Sequence, residues 1–415
     1  LSIMQTIKRE LNEDGVLIRE TWMCDGQIHR TDGPAFRCMD EDGNICQETW
    51  LLNHECQGTC LWTRHPNGNL NTEQWWFDES EDSEKRHRTD GPAYLYWNDD
   101  GTLAAEEWFL DGKHHRTDGP AMQYWYGDGT LATEKWFLDG KHHRTDGPAI
   151  RTWNDDGTLV AEDWRMNGKH HRTDGPTMQC WYDDGTLSTE EWWMDGKQHR
   201  TDGPANRKWY PDGTLKYEGW MVRHFRHRTD GPAYRIWYPD GTLQSEYWRR
   251  GRSGISEEYH RIDGPAVQRW HDNGVLHNEH WYMNGMIHRI DGPACQNWNP
   301  DGTLTDEEWR MNGKQHRING PSSLTWDSNG TLTNEEWRTK AVWHRIDGPA
   351  VQYWDSNGTL IYEEGYVHGK KTSRRMIILG MARVKVLRAS RLLILANAVQ
   401  CVSADSLSVI GGFLK

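Results

Sequence analysis

The residues with the sharpest chemistry of their own fall in one short stretch. His54-x-Cys56-x3-Cys60, with Cys46 and His65 near in sequence, gathers the imidazole and thiol groups that hold zinc. No paired CxxC half-sites frame the stretch, and drift inside a structural repeat accounts for the same residues, with Cys60 in a small-residue position and Cys56 in a threonine position. Apart from this weak zinc pattern the sequence calls for no cofactor. Elsewhere His, Asp and Glu recur at a fixed spacing along most of the chain. Catalysis needs unlike residues converging at one place, and a dozen equivalent sets do not make an active site. Neither a phosphate-cradling GxxxxGK(S/T) nor a nucleophile-elbow GxSxG occurs, so the chain reads as non-enzymatic. The remaining candidates are tryptophans. Trp97, Trp108, Trp125, Trp136, Trp153, Trp164, Trp181, Trp192, Trp209 and Trp237 belong to two regular series whose indoles could stack on sugar rings if they face solvent.

Composition demands a regular architecture to place them. The 415 residues are 35% hydrophobic and 27% charged, with mean hydropathy -0.95, too polar for one or two ordinary packed domains of this length. Disordered chains are poor in aromatics, yet this one is 11% Phe, Trp and Tyr and holds 26 Trp. The architecture is an internal repeat. His-Arg-(Thr/Ile)-Asp-Gly-Pro-Ala recurs from His29 to His344, mostly every 28 residues. Twelve anchors result when a decayed copy, around 54–86 with its anchor at His54, is included. The 33-residue step from His227 to His260 carries an insertion near Arg252 to Ser256, and a half copy around Asp14-Gly15 and Trp22 leads the array. A period in this range signals units that contact mainly their neighbours.

With the anchor His as column 0, Gly fills columns 4 and 14 and Glu fills column 19 in every copy. Trp at columns 10 and 21, with Trp22 of the leading copy, accounts for 22 of the 26. Asp/Asn-Gly at columns 13–14 and again at 24–25, as in Asp128-Gly129 and Asp139-Gly140, predicts two-residue type I′ turns and about two strands per unit. The expected fold is all-β: tandem 28-residue β-hairpin repeats in an extended antiparallel meander, spanning 1–369. Pairing column 12 with 15 sets 10 opposite 17 and 6 opposite 21, and the second turn sets Trp136 opposite His143. Ala121, Trp125, Thr130, Glu134 and Trp136 then share one face, where cross-strand aromatic rows over small residues stabilise a sheet that has no second layer. Asp-Gly-Pro ends the strand begun at His-Arg, because proline lacks an N–H and glycine tolerates turn angles.

Aromatic-x-x-(Asp/Asn)-Gly-x-Leu, then Glu, an aromatic and (Asp/Asn)-Gly-Lys, resembles the variant MORN repeat of bacterial antitoxin-like proteins. The added His-Arg-x-Asp-x-Pro-Ala segment is similar to MORN-type repeat proteins of giant DNA viruses, phages and bacteria. The resemblance covers residues 11 to 369. It implies a single-sheet β-meander that serves in scaffolding, protein contact or membrane-associated assembly. The longer period, the missing Gly-x-Gly opening and Trp in place of Tyr keep the lipid binding of some MORN proteins from being carried over.

Beyond the array, 370–415 holds nine Lys/Arg against Asp405 and no Trp, while the array carries about -22. Met376 to Leu395 intersperses apolar residues with Arg383, Lys385, Arg388 and Arg391, the pattern of a basic amphipathic helix that would cap the sheet edge, touch a membrane surface or bind the acidic array. The abrupt loss of the repeat also fits a reading-frame artefact. Net charge of -14 argues against nucleic acid as a partner. The expected role is a repeat scaffold for protein–protein interaction or assembly, the alternative a carbohydrate-binding or adhesive surface protein. Sheet edges favour homo-oligomers. The cysteine pattern and the absence of a signal-like N-terminus place the chain inside a cell or infected host, with a virion surface the other location.

Overall fold

The computed structural model describes residues 5–24, 27–52, 55–76, 85–252 and 256–372. Among these the chain is all-β, with no helix. The expected helix over 376–395 and the anchor His54 lie outside the described residues. The chain divides into two compact units, 1–224 and 225–415, each carrying an antiparallel meander of the same repeat.

In the first unit the copy anchored at His115 shows the plan. Strand Met122–Trp125 pairs back with Leu103–Glu107 and forward with Leu131–Lys135, which pairs with Ile150–Trp153 of the next copy. Two strands per repeat therefore enter the sheet. The second unit repeats this from Tyr234–Trp237 to Leu360–Val367. The register follows the expected pairing in the strand centre: Met122 faces Lys135, Gln123 faces Glu134, and Tyr124 faces Thr133.

Two features differ from the sequence expectation. The turn at Asp128-Gly129 is not type I′. Gly129 N–H donates to Tyr126 O at 2.9 Å and Tyr126 N–H to Thr130 O at 2.9 Å, with positive φ at Gly129 alone. That is a three-residue loop closed by a glycine bulge, which needs one left-handed residue where type I′ needs two. Asp128 instead accepts from Thr130 N–H at 2.9 Å and fixes the loop through its side chain. The register then shifts by one, so Trp125 faces Leu131 and not Ala132. The same shift recurs at Trp153/Leu159 and Trp181/Leu187, and at Trp237/Leu243 in the second unit, which explains why column 16 is nearly always Leu.

The second turn is type I′. Asp139 and Gly140 have φ of 51° and 75°, and Phe137–Leu138 pairs with Lys141–His142. This ribbon stands outside the main ladder, and His143 N–H donates to Trp136 O at 3.0 Å as expected. The insertion lengthens one such ribbon, where Arg249–Arg252 pairs with Ser256–Tyr259. The leading copy is a whole hairpin, Gln5–Leu11 with Leu17–Cys24, and not a half. At the other end Lys370–Thr372 still pairs with the strand before it, so the meander continues three residues past 369. In the decayed copy Glu55–Arg64 runs as one strand of ten residues, because without Asp-Gly-Pro nothing interrupts the ladder.

The core is thin. Column 6 is fully buried in every anchored copy, as Ala121, Ala149 and Ala205, as Thr177 and Ser322, and as Cys60 in the decayed copy. Each small residue lies in register between successive column-21 tryptophans: Trp108 N–H donates to Ala121 O at 2.7 Å, and Trp136 N–H to Ala149 O at 2.7 Å.

Candidate functional site

The anchor motif builds a clamp. Arg144 leaves the ribbon beside Trp136 and lays its guanidinium 4.0 Å from the indole centroid. Its other face rests on Gly147, where an added Cβ would stand 2.7 Å from Arg144 Cζ. Nε donates to Asp146 at 2.9 Å and Nη1 to Pro148 O at 3.4 Å, while Glu134 lies 3.8 Å from Nη1. Arginine suits this position because its planar, delocalised cation stacks on an aromatic face while its edge donates in the plane. The distance recurs closely: 4.0 Å at Arg116/Trp108 and Arg200/Trp192 in the first unit, 4.0 Å at Arg261/Trp248 and 3.9 Å at Arg345/Trp337 in the second.

The clamp absorbs most residues that looked chemically active. In several copies the constant Glu of column 19 accepts from the indole Nε1–H two residues on, at 2.8 Å for Trp108/Glu106 and 3.2 Å for Trp281/Glu279, whereas the indole N–H groups of Trp136 and Trp164 make no such bond. It also pairs with the arginine, at 3.3 Å for Arg116/Glu106 and 2.9 Å for Arg345/Glu335. The arginine holds the carboxyl of its Asp, such as Asp146, below the ordinary carboxylate range by hydrogen bond and charge. The anchor His engages the next turn: Asp139 N–H donates to His115 Nδ1 at 3.3 Å, and Asn167 N–H to His143 Nδ1 at 3.2 Å. Column 4 is glycine for closeness and not for turn angles, since Gly147 has no positive φ whereas Gly129 has φ +87°.

All ten predicted tryptophans are half-buried. Trp108, Trp136, Trp164 and Trp192 each carry an arginine on one face. Trp97, Trp125, Trp153, Trp181 and Trp209 form a separate row near the hairpin loops, each opposite a leucine, as does Trp237 in the second unit. Neighbouring copies are tied there by column 11, where Tyr126 Oη–H donates to Trp153 O at 2.8 Å and Tyr182 Oη–H to Trp209 O at 2.7 Å.

Two of the four zinc-type residues have described side chains. Cys60 is fully buried, opposite Glu48, and burial pushes its thiol well above the ordinary range. Cys46 is half-buried, raised first by burial, with Sγ 3.5 Å from Asn44 O. The side chain of Cys56 lies outside the described residues, as His54 does. Among the described residues no three His, Cys, Asp or Glu come together as a metal would require, and six cysteines are free thiols.

Sequence reasoning missed a stack on the opposite face. Phe109, His114, Phe137 and His142 alternate with ring centroids 4.1, 4.9 and 4.1 Å apart, and His170 stacks on Trp193 at 4.9 Å. Columns 22 and 27 supply these rings, and their lack of one residue type hides the row. Burial, then Arg165 and Lys135, depress His142 to about 4, while burial and Arg269 lower His280. Burial alone would raise Glu107, but hydrogen bonds from His114 at 2.9 Å and Tyr124 at 2.7 Å outweigh it and hold the carboxyl low. Successive anchors leave shallow grooves, one of about 420 Å³ between Arg172 and Arg200.

No family model and no curated protein matches the chain. Among solved structures, a TcdB2-TccC3-TEV crystal structure is 11% identical over 88% of this chain and 22% of that chain, with TM-score 0.12. A Photorhabdus luminescens Tc holotoxin pore is 13% identical over 89% and 23%, with TM-score 0.17. This chain thus spans under a quarter of those chains, and scores this low assign it neither fold nor function.

Proposed function

We propose that the protein is a non-enzymatic scaffold of MORN-type repeats that presents a regular surface to protein partners inside a cell or on a virus-like particle. One observation carries this reading: in successive copies the His, Arg and Glu that could do chemistry are spent on the same internal clamp, whose Asp alone stays largely exposed. What faces solvent is a periodic display, with Asp118, Asp146, Asp174 and Asp202 side chains 77, 76, 77 and 79% exposed at one-repeat intervals. Such an acidic comb favours basic partners and fast, salt-sensitive association. The carbohydrate reading is less supported, because the arginine occupies one stacking face of each column-21 indole. Photo-crosslinkers at positions 118, 146 and 174 should give discrete protein adducts that salt suppresses. A saturable glycan-induced shift of tryptophan emission, without protein adducts, would overturn the scaffold reading in favour of sugar binding.

A further inference from the structure

In the second unit one surface column changes character. Column 2 is Thr at Thr117, Thr145, Thr173, Thr201 and Thr229, but Ile at Ile262, Ile290, Ile318 and Ile346, at an unbroken 28-residue spacing. These four isoleucines are 78, 76, 76 and 61% exposed. A single exposed isoleucine needs no explanation, whereas a row of four at equivalent sites marks a binding surface. The next residues Asp263 and Asp291 have side chains 78 and 84% exposed, so carboxylates flank the apolar row. The anchor arginines do not offset them, because Arg261, Arg289, Arg317 and Arg345 are stacked on Trp248, Trp281, Trp309 and Trp337. Beside Ile262 a groove of about 400 Å³ opens between the anchors at His227 and His260, with Thr229 and Trp248 in its wall. Of the two further arginines there, Arg249 donates to Tyr259 Oη at 2.7 Å and Arg250 lies opposite Glu258.

We propose that this row docks a basic segment of a protein partner in the polyproline II conformation, with an apolar residue at every third position and Lys or Arg between. The inference rests on the scaffold reading above and names the partner's chemistry for the second unit. Spacing selects the conformation. Two strands per repeat set equivalent side chains about 9.6 Å apart, and a polyproline II segment returns to the same face every three residues, after about 9.3 Å. Over the three intervals from Ile262 to Ile346 the two stay within about 1 Å of each other. An α-helix returns after seven residues, about 10.5 Å, and is about 2.7 Å out of step by the fourth isoleucine. A β-strand turns its third residue to the opposite face. Charge selects a basic segment: the exposed Asp263 and Asp291 attract Lys or Arg, and a second copy laid face to face would instead oppose like carboxylates. A polyproline II segment also loses little entropy on docking, which suits a shallow row of side chains.

The test is fluorescence anisotropy of two labelled peptides titrated with the full chain: one of five Pro-Leu-Arg triplets, and one of the same composition with its leucines at irregular spacing. The regular peptide should bind roughly tenfold more tightly than the irregular one. That preference should vanish with Ile262→Thr, Ile290→Thr, Ile318→Thr and Ile346→Thr together, since Thr is the residue that column 2 holds in seven other copies and the repeat accommodates it. Asp263→Asn with Asp291→Asn should weaken both peptides alike and flatten their salt dependence. Equal affinity of the two peptides for the unaltered chain, or a preference that survives the isoleucine changes, overturns the proposal and leaves the acidic comb standing. Failure of both peptides to bind overturns it as well, while crosslinking at positions 118, 146 and 174, which lie outside this row, decides the scaffold reading separately. A fall in mass from dimer to monomer on changing the isoleucines overturns it in favour of a second copy.

Discussion

Gly147→Ala tests the clamp most directly. Gly147 has no positive φ, so alanine fits the backbone and the perturbation is purely steric. The new Cβ would meet Arg144 Cζ at 2.7 Å, Nε at 2.8 Å and Nη2 at 3.0 Å, and the guanidinium must leave. It then forfeits the stack on Trp136 and the bond to Pro148 O. A partly desolvated cation–π contact contributes about 1–2 kcal/mol and a charge-assisted bond to a carbonyl about 1 more, so local stability should fall by about 2–3 kcal/mol. The pair with Asp146, whose side chain is 76% exposed, is screened and adds nothing to this figure. Native-state hydrogen exchange at the amides of Trp136, Arg144 and Ala149, all donors in the repeat's own bonds, reads the change where it occurs. The decisive comparison is a double-mutant cycle with Arg144→Ala. With the arginine already gone, Gly147→Ala should cost almost nothing, giving a coupling of about 2 kcal/mol. Additive effects would refute the clamp as the reason for glycine.

Three further outcomes follow from single positions. Lys340-Ala341 closes a type I′ turn with φ of 54° and 68°, so Ala341→Gly should stabilise that ribbon by about 1 kcal/mol, whereas Gly140→Ala should destabilise its own by a similar amount in thermal unfolding. Gly129→Val should be locally destabilising, because φ +87° excludes a β-branched residue; unchanged exchange at Thr130 and Tyr126 would contradict the loop assignment. His142 has a folded-state pKa of about 4 against an ordinary 6.5, so the unfolded chain binds more protons between these values and stability falls as pH drops through that window. Discounted for solvent screening of a half-buried ring, the loss is on the order of 1–2 kcal/mol near pH 4; His142→Gln, the residue of the same column at Gln198 and Gln315, should flatten the profile between pH 6.5 and 4.

The sequence by itself determined the period, the strand-turn alternation and the pairing at strand centres, because these depend on local rules. Asp-Gly at columns 24–25 dictates a left-handed pair, and once a turn is placed the two-residue alternation of a strand fixes which columns meet. The 28-residue spacing also identified the small column that Cys60 keeps in the decayed copy. It could not distinguish two Asp-Gly turns of the same spelling, since whether one or both residues adopt positive φ depends on the bulge that the twisted sheet accepts. Nor could it separate the two constant glycines: Gly129 is demanded by its own backbone, Gly147 by an arginine three residues earlier that folds back over it. The stack of Phe109, His114, Phe137 and His142 was illegible for a related reason. Its members share a place and a planar shape but no residue type, and only the tertiary structure brings columns 22 and 27 of successive copies into contact.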